Sequence, residues 1–196
     1  GIALSWQYPL VELTTGASFA FTTWYFLNFR SLNFKLLNLE ALIYLLVSWV
    51  TISAAIHIFV TDLRWQIIPS GAVVLLFIIG LTVSLSRSDL YRDGLTALAL
   101  ALFLAALWFF SRGRAVGLGD AKLIFSSSLL LGFPNSIVAF LFSFWLGGLI
   151  GVSLLIAGRK KLKSRIPFGP FILIGSALAY FFGPIFLEYT NLSLLL

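Results

Sequence analysis

Seven apolar runs, separated by polar or proline-bearing breaks, make up most of this 196-residue chain. They cover about 9–29, 40–61, 70–85, 94–111, 120–131, 135–157 and 168–189. Crossing about 30 Å of hydrocarbon takes roughly 20 helical residues, so the fifth run is too short to span unaided. It reads as a half-buried helix packed on its neighbours. Irregular backbone exposed to lipid leaves N–H and C=O groups unpaired, so every run is expected to be helical. Pro69, Pro134 and Pro167 each stand where a helix should begin, because proline fits a first turn and disrupts an interior. Ser88 and Asp93 read as caps around the polar stretch 86–93. No internal repeat or low-complexity segment appears. The expected fold is all-α, a polytopic transmembrane bundle in which residues 1–196 form one membrane-embedded domain.

Composition strengthens this reading. Hydrophobic residues make up 60% of the chain and charged residues only 10%, with a mean hydropathy of +1.04. A soluble domain carries about 25% charged residues, so a water-facing surface is out of reach and the bilayer has to act as solvent. The 20 Phe and 6 Trp suit lipid-facing and interfacial positions. Without cysteine there are no disulfides, thiol nucleophiles or cysteine metal sites. The single histidine, His57, makes no zinc site. The chain contains no methionine, so Gly1 is expected to be a processed or trimmed end. No signal peptide is visible.

The net charge of +6 bears on orientation, not on nucleic acid. If the segments alternate, one side receives the 62–70, 112–119 and 158–167 connections. It holds Arg64, Arg112, Arg114, Lys122, Arg159, Lys160, Lys161, Lys163 and Arg165, nine of the 13 basic residues. The other side holds Arg30, Lys35, Arg87 and Arg92. The positive-inside tendency makes the first side cytoplasmic and puts the C-terminus outside.

Candidate chemistry narrows to the seven acids. Glu40, Asp89, Asp93 and Glu188 fall at outer ends or loops, where solvation explains them. Glu12, at the inner end of the first run, is ambiguous. Asp62 and Asp120 are far apart in sequence, yet topology puts both at the same inner edge. Ionisable groups near membrane depth are functional candidates. Asp62 follows the carboxyl end of a helix, where the dipole disfavours negative charge; Asp120 opens a helix after Gly117-Leu118-Gly119, where free N–H groups favour it. If the two meet, Asp120 is expected to stay ionised as general base and Asp62 to stay protonated and polarise a carbonyl. Gly117 and Gly119 suggest an unwound backbone that an extended peptide could approach. A helix cap at Asp120 and an interfacial acid at Asp62 account for the same residues without catalysis. Residues and topology alone leave both readings open.

Four strings, in order, resemble those of bacterial type IV prepilin peptidases, the Gly-x-Gly-Asp class of membrane aspartyl proteases. Thr61-Asp62-Leu63-Arg64-Trp65-Gln66-Ile67-Ile68-Pro69 is similar to their motif of Asp, short spacer and Ile-Pro. Gly117-Leu118-Gly119-Asp120-Ala121-Lys122 is similar to Gly-x-Gly-Asp-x-Lys. Ile166-Pro167-Phe168-Gly169-Pro170 resembles the string that opens a late helix. Residues 5–13 resemble the stretch after the cysteine-containing cytoplasmic region of longer members. Ser70 stands where the family often has Asn.

The resemblance implies an aspartyl endopeptidase with Asp62 and Asp120 as the catalytic pair. Its substrates would be type IV prepilins and type II secretion pseudopilins, whose short basic leader is removed at the cytoplasmic edge of the bacterial inner membrane. The substrate helix and the lipid bilayer would then be the partners, with no nucleic acid. Gly117, Gly119, Lys122, Pro69, Pro167, Gly169, Pro170 and Glu12 are supporting candidates, the prolines and glycines through backbone geometry. No metal site is expected and no cofactor. S-adenosylmethionine enters only if the N-methyltransferase activity of longer members is retained, and this chain begins about where their cysteine-containing region ends.

The neighbours also have plain readings. Lys122, about 200° around the helix from Asp120, serves either a substrate carboxylate and the local field or the positive-inside pattern. Arg64 and the run 159–165 read as topology signals and lipid anchors. His57 reads as an ordinary helix residue, and Gly147 and Gly151 as a close-packing pair. The alternative functional class is a small transporter or channel using the acids as an ion site. It calls for mid-membrane acids and a repeat. A non-catalytic scaffold of the same fold is the third reading.

Overall fold

The computed structural model describes residues 7–29, 39–114, 116–158 and 167–190. Among these it holds seven helices and no strand. They are α1 (Gln7–Phe29), α2 (Leu39–Trp65), α3 (Ser70–Ser86), α4 (Leu90–Ser111), α5 (Leu118–Leu131), α6 (Asn135–Ile156) and α7 (Gly169–Tyr189). Four stretches are long and apolar enough to cross a membrane: Leu42–Trp65, Leu90–Ser111, Asn135–Ile156 and Gly169–Tyr189. α3 is a shorter apolar helix. The basic run 159–165 and the string at 5–6 lie outside the described residues, as do Arg30 and Lys35.

The chain divides into two compact units, Gly1–His57 and Ile58–Leu196. In the first, the hydroxyls of Thr15, Ser18, Thr22 and Thr23 donate to carbonyls four residues earlier at 2.6–2.7 Å. These bonds satisfy polar groups within an apolar helix. The Phe19 and Trp49 rings stack with centroids 5.4 Å apart.

The second unit is built around α5. At 14 residues this helix is about 21 Å long, and it packs against α3, α4, α6 and α7. Seven of its residues besides Asp120 are buried, from Ala121 to Leu129. Close approach depends on glycine. A Cβ on Gly80 of α3 would lie 2.9 Å from both the Leu130 nitrogen and the Ser126 oxygen, so any side chain there would drive α3 off α5. Gly175 lets α7 approach the Ala139 carbonyl of α6 in the same way. Gly147 makes room for the Phe168 and Phe171 rings, so its contact is within the chain.

The far end of α5 is held by a polar network that the sequence pattern did not reveal. Arg87, at the C-cap of α3, donates to the carbonyls of Leu129, Leu130 and Leu131. A guanidinium is suited to this, with several donors and a positive charge at the negative end of a helix. Asp93 accepts from Ser84 Oγ and from the Phe133 N–H, both at 2.8 Å. Gly132, with φ of 74°, is where the chain turns past both side chains.

These contacts fix the course of the chain. α3 and α5 both run from the Asp120 end to the Arg87 end, and α7 starts beside Asp62. Alternation therefore continues through the short fifth helix, which reverses the chain despite its length.

Three expectations change. α4 begins at Leu90, so Asp93 lies inside its first turn, 2% exposed. It is neither a cap nor a solvated loop acid, because the fold needs its two acceptor oxygens. Asp89 and Glu188 are exposed; the Glu40 side chain lies outside the described residues. α2 continues to Trp65, so Asp62 lies within its last turn and not after it. α5 begins at Leu118, so Asp120 is its third residue and not its first.

Asp93→Ala would leave the Phe133 N–H and the Ser84 hydroxyl without their acceptor. It should destabilise the fold by about 1–3 kcal/mol, whereas exposed Asp89→Ala should stay within about 0.5 kcal/mol of wild type. Equilibrium unfolding in detergent micelles checks the contrast.

Candidate active site

Asp62 and Asp120 are among the least exposed polar residues, at 4% and 6%. Both line one cavity of about 370 Å³, with Gln66, Ile67, Ile68, Ser70, Val73, Gly117, Leu118, Gly119 and Lys122. α2 delivers Asp62 from its last turn. At Gln66 the backbone flips into the left-handed region, with φ of 53°, and the helix stops. Pro69 then sets an extended entry into α3. The short linker between them passes along the cavity wall.

Each acid is anchored by one backbone N–H at a helix start. The Gly117 N–H donates to Asp120 Oδ2 at 2.8 Å, closing the first turn of α5. The Gly169 N–H, from the first residue of α7, donates to Asp62 Oδ2 at 3.0 Å across 107 residues of sequence. Pro170 follows at the second helical position, where its missing N–H costs nothing. A Cβ on Gly169 would fall 2.6 Å from Asp62 Oδ2, so this contact needs glycine.

The expected contrast between the two settings therefore dissolves. Asp62 does sit at the carboxyl end of its own helix, but its carboxylate faces the amino end of α7. The other oxygen of Asp120, Oδ1, is buried and has no hydrogen-bond partner among the described residues. Burial pushes the Asp120 carboxyl up to about 6; the Gly117 N–H opposes this and the nearby Asp62 charge adds to it. Burial thus outweighs the helix-start effect that was expected to keep Asp120 ionised.

Gly119 also differs from expectation. It lies inside α5, not in unwound backbone, and its bare face receives a side chain. A Cβ there would sit 3.1 Å from Ile68 Cβ.

The remaining candidates have varied settings. Lys122 is exposed and among its lining residues. Pro69 and Pro167 are half-buried, flanking the starts of α3 and α7. Arg64 is exposed beside the Trp65 ring, and His57 is exposed on α2. Glu12 is exposed on α1 of the first unit, among Leu13, Gly16, Ala17 and Ala20. Among the described residues no three His, Asp or Glu side chains converge as metal ligands. Gln66, Ile67 and Ile68 stood in the Thr61–Pro69 string without a role of their own, and Val73, inside α3, carried no signal in the sequence.

Fold and site together define a class: a helical membrane protein in which two buried acids share one cleft. The type IV leader peptidase family matches residues 49–152, a span containing both Asp62 and Asp120. A prepilin leader peptidase/N-methyltransferase of Bacillus subtilis (strain 168) is 32% identical over 185 residues, covering 93% of this chain and 69% of that protein. A protein of the same name from Legionella pneumophila is 31% identical, covering 90% of this chain and 59% of its own length. One from Stutzerimonas stutzeri is 26% identical, with 92% and 60% covered. No solved structure gives a significant match. This chain belongs to the type IV leader peptidase family, whose members are aspartic-type peptidases.

The raised Asp120 pKa has a stability consequence of definite sign. Between about pH 3.8 and 6 the folded state holds a proton that the unfolded chain has lost. The contribution of this group is therefore full below pH 3.8 and is lost as pH rises through 6. Removing the carboxyl should flatten that part of the profile: Asp120→Asn should lose stability less steeply than wild type between pH 4 and 6. Detergent unfolding midpoints measured across that range check it.

Proposed function

We propose that this chain removes the short basic leader of type IV prepilins and type II secretion pseudopilins by water attack between Asp62 and Asp120. The observation that carries the proposal is the shared cavity, with two buried carboxylates each held by a helix-start N–H and one Asp120 oxygen left free. Two close acids do not readily both ionise, so the pair would act as a unit holding one proton. The ionised member takes a proton from water as its oxygen attacks the scissile carbonyl carbon; the protonated member hydrogen-bonds the carbonyl oxygen. Collapse of the tetrahedral species breaks the C–N bond, and a proton passes to the leaving amine. Both acids then recover their starting state.

The anchoring bonds suit this use. They fix one oxygen of each carboxylate without supplying a full countercharge, so both acids keep proton affinity for the reaction. Exposed Lys122 would meet an acidic group of the substrate at the cavity rim. In this reading the chain lies in the bacterial inner membrane with the cavity toward the cytoplasm and the C-terminus outside, which the sequence's excess of basic residues in the 62–70, 112–119 and 158–167 connections supports. The substrate helix would stay in lipid while its basic leader stays in cytoplasm. The proposal is confined to peptide cleavage and calls on no cofactor.

Purified chain incubated with a prepilin in detergent tests the reading. Asp62→Asn and Asp120→Asn should each lower cleavage at least ~100-fold, with the unfolding transition still cooperative. Undiminished cleavage by either variant would sink the assignment.

A further inference from the structure

Between the two anchoring helix starts lies one apolar side chain. The Ile68 side chain packs on the bare face of Gly119, where an added Cβ would stand 3.1 Å from its Cβ and 3.3 Å from its Cδ1. The same Cδ1 would stand 3.3 Å from a Cβ on Gly169. Gly119 precedes Asp120 directly, and Gly169 supplies the N–H that holds Asp62. Ile68 thus reaches from the start of α5 to the start of α7, and it lines the cavity itself.

We infer that Ile68 is a positioning residue, an apolar spacer that sets the separation of Asp62 and Asp120. The inference rests on the peptidase reading above and adds to it. Its physical basis is geometric. The two carboxylates belong to α2 and α5 and are not hydrogen-bonded to each other; each is tied to a helix start. The gap between those starts therefore governs the gap between the acids. A β-branched side chain is stiff at χ1, and the linker carrying it is constrained by left-handed Gln66 on one side and Pro69 on the other. Such a spacer resists collapse of the gap. It also explains the glycine at 119, since a methyl there would contend with Ile68 for the same space.

The test uses purified full chain, a prepilin substrate and steady-state kinetics, with detergent unfolding as the folding control. Ile68→Ala should lower kcat about 10- to 100-fold, because misplacing reacting groups by about 1 Å is enough for that loss, while KM stays within about twofold. Ile68→Val, which removes only the outer methyl, should fall between Ile68→Ala and wild type and guards against a variant that fails to fold. Gly119→Ala should also lose activity. Combined with Ile68→Ala it should exceed either single variant, since the added methyl refills part of the vacated space; non-additivity of that kind marks residues in contact.

A lower unfolding midpoint with kcat unchanged per folded molecule would make Ile68 mere packing and overturn the inference. A raised KM with unchanged kcat would make it a substrate contact and overturn it equally, as would strictly additive losses in the double variant. These results are separable from failure of the peptidase reading. That reading fails if Asp62→Asn or Asp120→Asn still cleaves, whatever Ile68 does. Inactive aspartate variants alongside a fully active Ile68→Ala would discard the spacer alone.

Discussion

A helix of 14 residues cannot reach both faces of a bilayer, so α5 has to end among protein groups at least at one extremity. Its four terminal N–H and four terminal C=O groups then have no guaranteed water, and burying them unpaired is costly. Most of the second unit is arranged around that constraint. Arg87 covers three terminal carbonyls, Asp93 ties the following turn, and Gly80 lets α3 lie against α5 closely enough for Arg87 to reach. At the opposite end the Gly117 N–H is taken by Asp120 of the same helix. One carboxylate therefore serves both to close a helix and to present a free oxygen to the cavity.

The two acids reach equivalent settings by different routes. Asp120 is anchored locally, three residues from its donor, whereas Asp62 is anchored by the start of a helix more than a hundred residues later. The symmetry matters for chemistry. Had Asp62 faced only the carboxyl end of α2, the two would have been biased in opposite senses by helix dipoles. Instead both meet an amino end, and burial lifts Asp120. The proton is then better described as belonging to the pair.

Much of the fold could be read from local pattern, for reasons visible at particular residues. Pro69, Pro134 and the Pro167–Pro170 stretch mark real helix starts because proline acts on the backbone beside it. The apolar runs fix the helices because nothing else suits an apolar solvent. The errors fall where a polar residue was taken to end a helix. Asp62 looked like the residue after α2, and Asp93 like a cap, since charge within an apolar helix is uncommon. Their partners, Gly169 and Phe133, are distant in sequence and contribute only backbone N–H groups, which no residue type announces. Gly119 was legible as a place needing glycine, but the reason was misjudged. The demand comes from Ile68, which the sequence offered only as part of the Ile-Pro string, with nothing to tie it to Gly119.

The length of α5 has a further meaning. Arg87 secures one terminus and Asp120 sits near the other, 11 residues before Leu131, or about 16 Å at the usual rise. The helix is thus a ruler that converts a fixed point at one end of the bundle into a fixed depth for a carboxylate. A single added residue would turn that carboxylate about 100° around the axis as well as shift it about 1.5 Å. Depth and direction are geared together, so the helix cannot be re-measured in small steps. Insertions there would have to come in whole turns, and the residues flanking the helix are tied as well, Gly117 to Asp120 and Phe133 to Asp93.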